Sequence, residues 1–213
     1  MRNSLLTLFV IFLFGSFTAS AQTEKGSWFL NGLKILTFQS GTVVDNTGNG
    51  FSNTKESDFI IGPSFLNGNP SLVYAPTLNY CFTKNLSGGV FVNVSINSQA
   101  DINSNASKTT YSVFAIGPTV RYTYVNKSKF NPFAEAKIGF GSIVLKTEGI
   151  GSIKRSLFEY YIGTGCTYFF KPKLGIDFSV GYRDLIMEGN DPQGNSKTTY
   201  SFVNLGVGMV VGL

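Results

Sequence analysis

Residues 198–213, "TTYSFVNLGVGMVVGL", decide how the rest of the chain is read. Taken alternately, Val203, Leu205, Val207, Met209, Val211 and Leu213 form one row. Phe202, Asn204, Gly206, Gly208, Val210 and Gly212 form the other. Successive side chains of a β-strand point to opposite faces, so one face here is continuously oily and the other is mostly small. A strand of a soluble antiparallel sheet sets polar or charged residues against its oily face. Small residues opposite an apolar row suit a strand with lipid on one side and a crowded interior on the other. The stretch is expected to close a membrane β-barrel.

Composition points the same way. Charged residues make up 14% of the 213 residues, where a soluble domain carries about 25%. Glycine (24), phenylalanine (20) and tyrosine (10) are abundant. The formal charge of +5 does not mark a nucleic-acid binder, because the basic residues are scattered singly rather than gathered in a stripe. Lys84, Lys127, Lys129, Lys171 and Lys173 fall in short turns. The N-terminus, "MRNSLLTLFVIFLFGSFTASAQ", has Arg2, an apolar run from Leu5 to Phe14 and then "ASA". That is the pattern of a signal peptide over 1–21, cleaved after Ala21. Its apolar run is too short for a membrane-spanning helix, which needs about 20 residues.

Period-two segments recur through residues 22–213. "FAIGPTVRYTY" (114–124) sets Phe114, Ile116, Val120, Tyr122 and Tyr124 against Ala115, Gly117, Thr119, Arg121 and Thr123. "FAEAKIGFGSIVL" (133–145) sets Ala134, Ala136, Ile138 and Phe140 against Glu135, Lys137, Gly139 and Gly141. The same alternation runs through 158–170, 174–184, 72–82 and 86–97, and a first strand is expected at 28–38. These segments match the length of about 9–11 residues that a tilted transmembrane strand requires. Tight turns near Thr83–Asn85, Asn126–Lys129 and Lys171–Pro172 alternate with polar loops near 98–107, 147–154 and 188–197. Short periplasmic turns and long outer loops are the mark of an outer-membrane barrel.

One count is awkward. With "SDFIIGPSF" (57–65) there are nine strand candidates, whereas single-chain bacterial barrels have an even number. The favoured reading makes 39–71 a long first external loop, with 57–65 a strand extension or small hairpin inside it. The rival reading makes 57–65 the first barrel strand. The expected fold is thus all-β, an eight-stranded antiparallel up-and-down transmembrane barrel.

The sequence has no histidine. Ser–His–Asp and Asp–His mechanisms need an imidazole to carry a proton near neutral pH, so most hydrolytic chemistry is removed. No metal site is expected either, with no histidine and two distant cysteines, Cys81 and Cys166, each taken as a small apolar residue on a strand face, with a disulfide between them the alternative in an exported chain. "GFG", "GTG" and "GVG" do not open a helix after a strand, so they are not phosphate loops. The polar constellation that remains is Arg121, Glu135, Lys137, Glu159, Asp177 and Arg183, all opposite the lipid row. Inside so narrow a barrel these charges should pair, either as a packed core that fixes register or as a narrow ion path.

At this point the chain resembles the small outer-membrane β-barrel domain proteins, OmpA/OmpX-like in the broad sense. The residues that carry the resemblance are "KGSWFLNG" (25–32), "YAPTLNYCFTKNLSGGVFV" (74–92), "FAIGPTVRYTY", "FNPFAEAKIGFGS" (130–142) and "SFVNLGVGMVV" (201–211). The resemblance implies residence in the outer membrane, no shared catalytic residues and no cofactor. It also implies partnership with membrane lipid and with the outer-membrane insertion machinery. A monomer is expected, with no nucleic-acid partner and an extracellular ligand left unidentified. Two departures stand out: Leu213 replaces a terminal aromatic, and the first loop is long. The peptidoglycan-binding domain of larger relatives is expected to be absent. The functional expectation is a non-enzymatic anchor presenting its loops, the alternative a narrow channel or transporter for small or hydrophobic solutes.

Overall fold

The computed structural model describes residues 24–47, 50–61, 76–99, 109–125, 129–147, 149, 151–191 and 194–213. The expected signal peptide, residues 62–71 of the first loop and residues 100–107 of the second lie outside the described residues.

Nine strands follow in order: β1 (Trp28–Thr47), β2 (Gly50–Ile61), β3 (Thr77–Cys81), β4 (Leu86–Gln99), β5 (Thr109–Thr123), β6 (Phe130–Thr147), β7 (Gly151–Lys171), β8 (Leu174–Asp191) and β9 (Gly194–Gly212). All neighbouring pairs are antiparallel, and β9 returns to β1. The closing register runs from Phe29↔Gly212 to Asn46↔Lys197, with Phe38 opposite Leu205. Eight strands, β1 and β3 to β9, therefore form a ring that leaves no free edge between the first and last strands.

The odd count has a simple origin. β2 and β3 pair with the same edge of β1, in register Leu36↔Ile61 and Asn31↔Thr77. Between Leu36 and Asn31, β1 advances five residues while its partner advances sixteen, from Ile61 to Thr77. The two strands thus share one stave position of the barrel, and the sequence between them holds eleven residues more than the matching stretch of β1. The first strand belongs to the ring, and residues 57–61 lie in a hairpin partner of its outer half.

This corrects the expected loop boundaries. Gln39–Thr47 and Gly50–Ile61 are paired strand rather than open loop. The β6–β7 register continues to Thr147↔Gly151, and the β8–β9 register to Asp191↔Gly194, so most of 147–154 and 188–197 is strand as well. The cause is physical. β7 has 21 residues where about 9–11 cross a bilayer, so its surplus stands clear of lipid. Ladder hydrogen bonds persist there, but no apolar row is needed, and without that row the sequence resembles loop.

Side-chain direction alternates cleanly. On β6, Asn131, Phe133, Glu135, Lys137 and Gly139 are buried while Phe130, Pro132, Ala134, Ile138 and Phe140 are exposed. The outward row includes Ile162 and Phe140, each at least 60% exposed, within a continuous apolar band. A water-soluble surface does not carry an apolar patch of that extent. Two aromatic girdles bound the band. Trp28, Tyr80 and Phe82 pack in series at the turn end (5.0 and 5.5 Å between centroids), beside Phe130–Tyr168 (4.8 Å). Phe140, Phe158, Tyr160 and Tyr182 form a second series nearer the loops. Amphipathic rings favour the headgroup level on each side of a bilayer.

One backbone irregularity matters to closure. The β1–β9 register shifts between Leu30 and Leu33, where Gly32 adopts φ +79°. Positive φ is cheap only for glycine, and a bulge of this kind bends a strand sharply at a barrel rim.

Candidate functional site

The interior is layered. Near the turn end, Phe29, Cys81 and Val210 form a small buried apolar cluster against Phe169. Above it sits Arg121, 3% exposed, on the inward face of β5. Its guanidinium donates from Nη1 to Asp177 Oδ2 (2.7 Å) and from Nη2 to Asp177 Oδ1 (3.1 Å), a bidentate pair. Nη2 also donates to Thr167 Oγ1 (2.7 Å), whose hydroxyl donates to Asp177 Oδ1 (2.5 Å). The Phe133 ring lies 3.6 Å from the guanidinium carbon, so one face of the cation rests on an aromatic ring.

The network extends sideways. Glu135 approaches Arg121 Nη1 at 3.9 Å and Lys137 Nζ at 3.7 Å. Lys137 donates to Thr77 Oγ1 (3.2 Å). Asn31 fits best with its amide oxygen accepting from Arg121 Nη1 at 2.8 Å and its nitrogen toward the Thr77 carbonyl at 3.3 Å. The opposite orientation would face a guanidinium with an amide NH2, which cannot accept. Farther up, Arg183 forms a second ion pair with Glu159.

Thus four of the six candidate residues, Arg121, Glu135, Lys137 and Asp177, meet in one cluster. Glu159 and Arg183 form a separate pair above them. All six are buried, and three cations face three carboxylates, so the set is neutral. Glycines make the space. A Cβ on Gly181 would fall 2.5 Å from the Tyr161 ring, and one on Gly139 would fall 2.6 Å from Phe91. Both aromatic rings thereby lie across the lumen.

Two features escaped the sequence. The first is an apolar collar on the inward face toward the loop end: Val113, Ala115, Ile143, Leu157, Leu185 and Met187, packed with Leu145 and Tyr200. The second is Asp184, a buried carboxylate on the outward row of β8 that accepts from the Tyr160 hydroxyl. Its parity with Tyr182 was the available signal. Cys81 and Cys166 form no disulfide: one lies in the inner cluster and the other on the outward row, so the barrel wall separates them.

A ring of eight antiparallel strands with an apolar outer band, two aromatic girdles and a filled polar interior defines a small integral β-barrel membrane protein. Its sequence matches the model of the outer membrane protein beta-barrel domain across residues 7–210. The chain belongs to that family and resides in the outer membrane. Among solved structures it is similar to AlkL, determined in lipid bilayers by solid-state NMR. That match has 13% identity and a TM-score of 0.50 over 94% of this chain and 95% of that one. OprG from Pseudomonas aeruginosa matches at 10% identity and TM-score 0.49 over 91% and 99%. Neisserial surface protein A matches at 15% identity and TM-score 0.46 over 86% and 96%. At these identities the likeness concerns the fold. No curated protein sequence matches significantly.

Proposed function

We propose that this protein is a non-enzymatic scaffold. Its barrel is an anchor, and its loop end presents a surface for adhesion, envelope integrity or other surface interaction. The observation that carries the reading is the filled interior, a neutral salt-bridged layer beneath an apolar collar. A solute would have to break buried ion pairs and then part close-packed hydrocarbon, and an unpaired buried charge is expensive. The six buried charged residues serve in this reading to fix register and seal the lumen.

Orientation follows from the turns. Outer-membrane barrels keep their short turns in the periplasm, and here the β3–β4 and β7–β8 connections share an end with both strand termini. The loop end, with hairpins β1–β2, β6–β7 and β8–β9, then faces outward, and a rigid scaffold with projecting connections is a common platform for binding. Export by the 1–21 signal peptide, delivery by the insertion machinery and a monomeric barrel in lipid belong to this reading. The fold alone does not exclude catalysis, so the non-enzymatic assignment rests on the missing histidine.

Planar-bilayer recording of the purified, refolded protein tests the reading. Silence at moderate voltage is expected. Reproducible single-channel steps would replace the scaffold with the alternative, a narrow channel or transporter for small or hydrophobic solutes.

A further inference from the structure

Strands β6 to β9 carry outward-facing charges near their loop ends that the scaffold reading does not use. Lys146 lies one residue before the end of β6, and Lys154 three after the start of β7. Glu188 lies three before the end of β8, and Lys197 three after the start of β9. All four are exposed. Their strands are consecutive in the ring, and direct pairing places Ser156 beside Glu188 and Glu188 beside Lys197.

Below this charged row the barrel wall is grooved. A cavity of about 540 Å³ is lined by Phe140, Phe158 and Ile186, with Ser156, Glu188 and Lys197 at its upper edge. The Phe140 and Phe158 rings pack at 5.2 Å. These apolar side chains lie on the outward row, so the groove opens toward lipid. Lys197 Nζ contacts Glu188 Oε1 at 2.8 Å, but both side chains are more than half exposed. Exposed ion pairs of this kind are weak and exchange readily for a stronger anion. The other outward carboxylate on β8, Asp184, is buried and already holds the Tyr160 hydroxyl.

We propose that this sector of the wall binds a phosphorylated glycolipid of the outer leaflet, with its phosphates on Lys154 and Lys197 and an acyl chain in the Phe140–Phe158–Ile186 groove. The assignment rests on the outward orientation of the loop end argued above. Among the described side chains, three lysines against one freely exposed carboxylate make the row complementary to an anion. An apolar groove directly beneath a cationic edge has the amphipathic shape of a lipid. Lys154 and Lys197 stand two strands apart and two residues out of level, about 12 Å at ordinary strand spacing and rise. A headgroup bearing two phosphates spans that distance, whereas the single phosphate of a phospholipid engages only one of the lysines. The Ser156 hydroxyl, between them, supplies a donor to the same headgroup.

The test uses the full chain refolded into phosphatidylcholine vesicles doped with one of three probes. These are a bisphosphorylated lipid A, the same lipid A without phosphates, and phosphatidylglycerol. Native mass spectrometry of the extracted protein reads the retained lipid. Bisphosphorylated lipid A should be retained, and Lys154→Gln/Lys197→Gln should reduce retention about tenfold, which two lysine–headgroup contacts account for. Lys84→Gln/Lys171→Gln, at the opposite rim, should change nothing. Because the substituted lysines are exposed and neutralised rather than reversed, folding is preserved, and the gel shift between unboiled and boiled samples verifies it. Undiminished retention by the Lys154/Lys197 variant would overturn the proposal. So would equal retention of phosphate-free lipid A or of phosphatidylglycerol, either of which indicates ordinary bilayer contact.

Discussion

Replacing Arg121 with methionine should destabilise the folded barrel by about 3–5 kcal/mol, the cost of stranding a buried partner charge. Methionine preserves the contact with Phe133 but removes both hydrogen bonds to Asp177 and the one to Thr167. Asp177 would then be a buried carboxylate with no cation among its described hydrogen-bond partners, and Glu135 would keep Lys137 as its cation. The companion variant Arg121→Met/Asp177→Asn separates charge from packing. Its asparagine oxygen still accepts from Thr167, and the remaining interior charges balance as Lys137 and Arg183 against Glu135 and Glu159. Most of the loss should therefore be recovered, to within about 1–2 kcal/mol of the parent, because replacing both members of a buried pair is often nearly neutral. Equilibrium urea unfolding in detergent micelles measures both. If Arg121→Met alone unfolds with the parent midpoint, the network does not hold the barrel together.

The second large effect concerns the collar. Thr119 lies on the inward face of β5, four residues beyond Ala115 toward the turn end, and its buried hydroxyl has no hydrogen-bond partner among the described residues. Thr119→Cys is thus a nearly isosteric reporter placed beneath the collar. In a background with Cys81 and Cys166 changed to serine, a membrane-impermeant thiol reagent added from the loop side should leave it unmodified. Leu157→Ala/Leu185→Ala removes two buried side chains from the collar. Each such truncation costs about 2–5 kcal/mol and leaves a cavity. Water can enter a widened passage that leads to polar groups, and labelling should accelerate by about tenfold or more. Fast labelling with the collar intact would mean that some other path reaches the lumen.

Legibility in the sequence divides along physical lines. β5, β6, β7 and β9 were readable because lipid demands an unbroken apolar row at period two, and no soluble sheet does. Parity put Arg121, Glu135, Lys137, Glu159, Asp177 and Arg183 on one strand face, and all six are buried. Parity identifies a face but not a layer, and it could not show that four of them meet while Glu159 and Arg183 stand apart. The collar was hidden for a related reason. Ile143, Leu157 and Leu185 are apolar residues at inward positions, and hydrophobicity alone cannot distinguish a lumen-filling residue from a lipid-facing one. Asp184 was missed because a charge on the lipid row contradicts the rule used to find that row. It is tolerated near the upper girdle, where the Tyr160 hydroxyl meets it. The β1–β2 hairpin resembled loop because strand beyond the bilayer loses its apolar row while keeping its ladder. The insertion between β2 and β3 split one stave into two candidates, which produced the odd count.

The oily final strand closes the ring against the first, with Phe38 opposite Leu205. Directly paired residues of an antiparallel ladder have Cα atoms about 4.5–5.5 Å apart, within disulfide range. Phe38→Cys/Leu205→Cys, made in the background without Cys81 and Cys166 and folded in lipid, should oxidise to an intramolecular disulfide in nearly every molecule. The slipped pair Phe38→Cys/Asn204→Cys, whose side chains point to opposite faces of the wall, should remain reduced. A cross-link in the slipped pair, or none in either, would contradict the closed eight-stranded barrel.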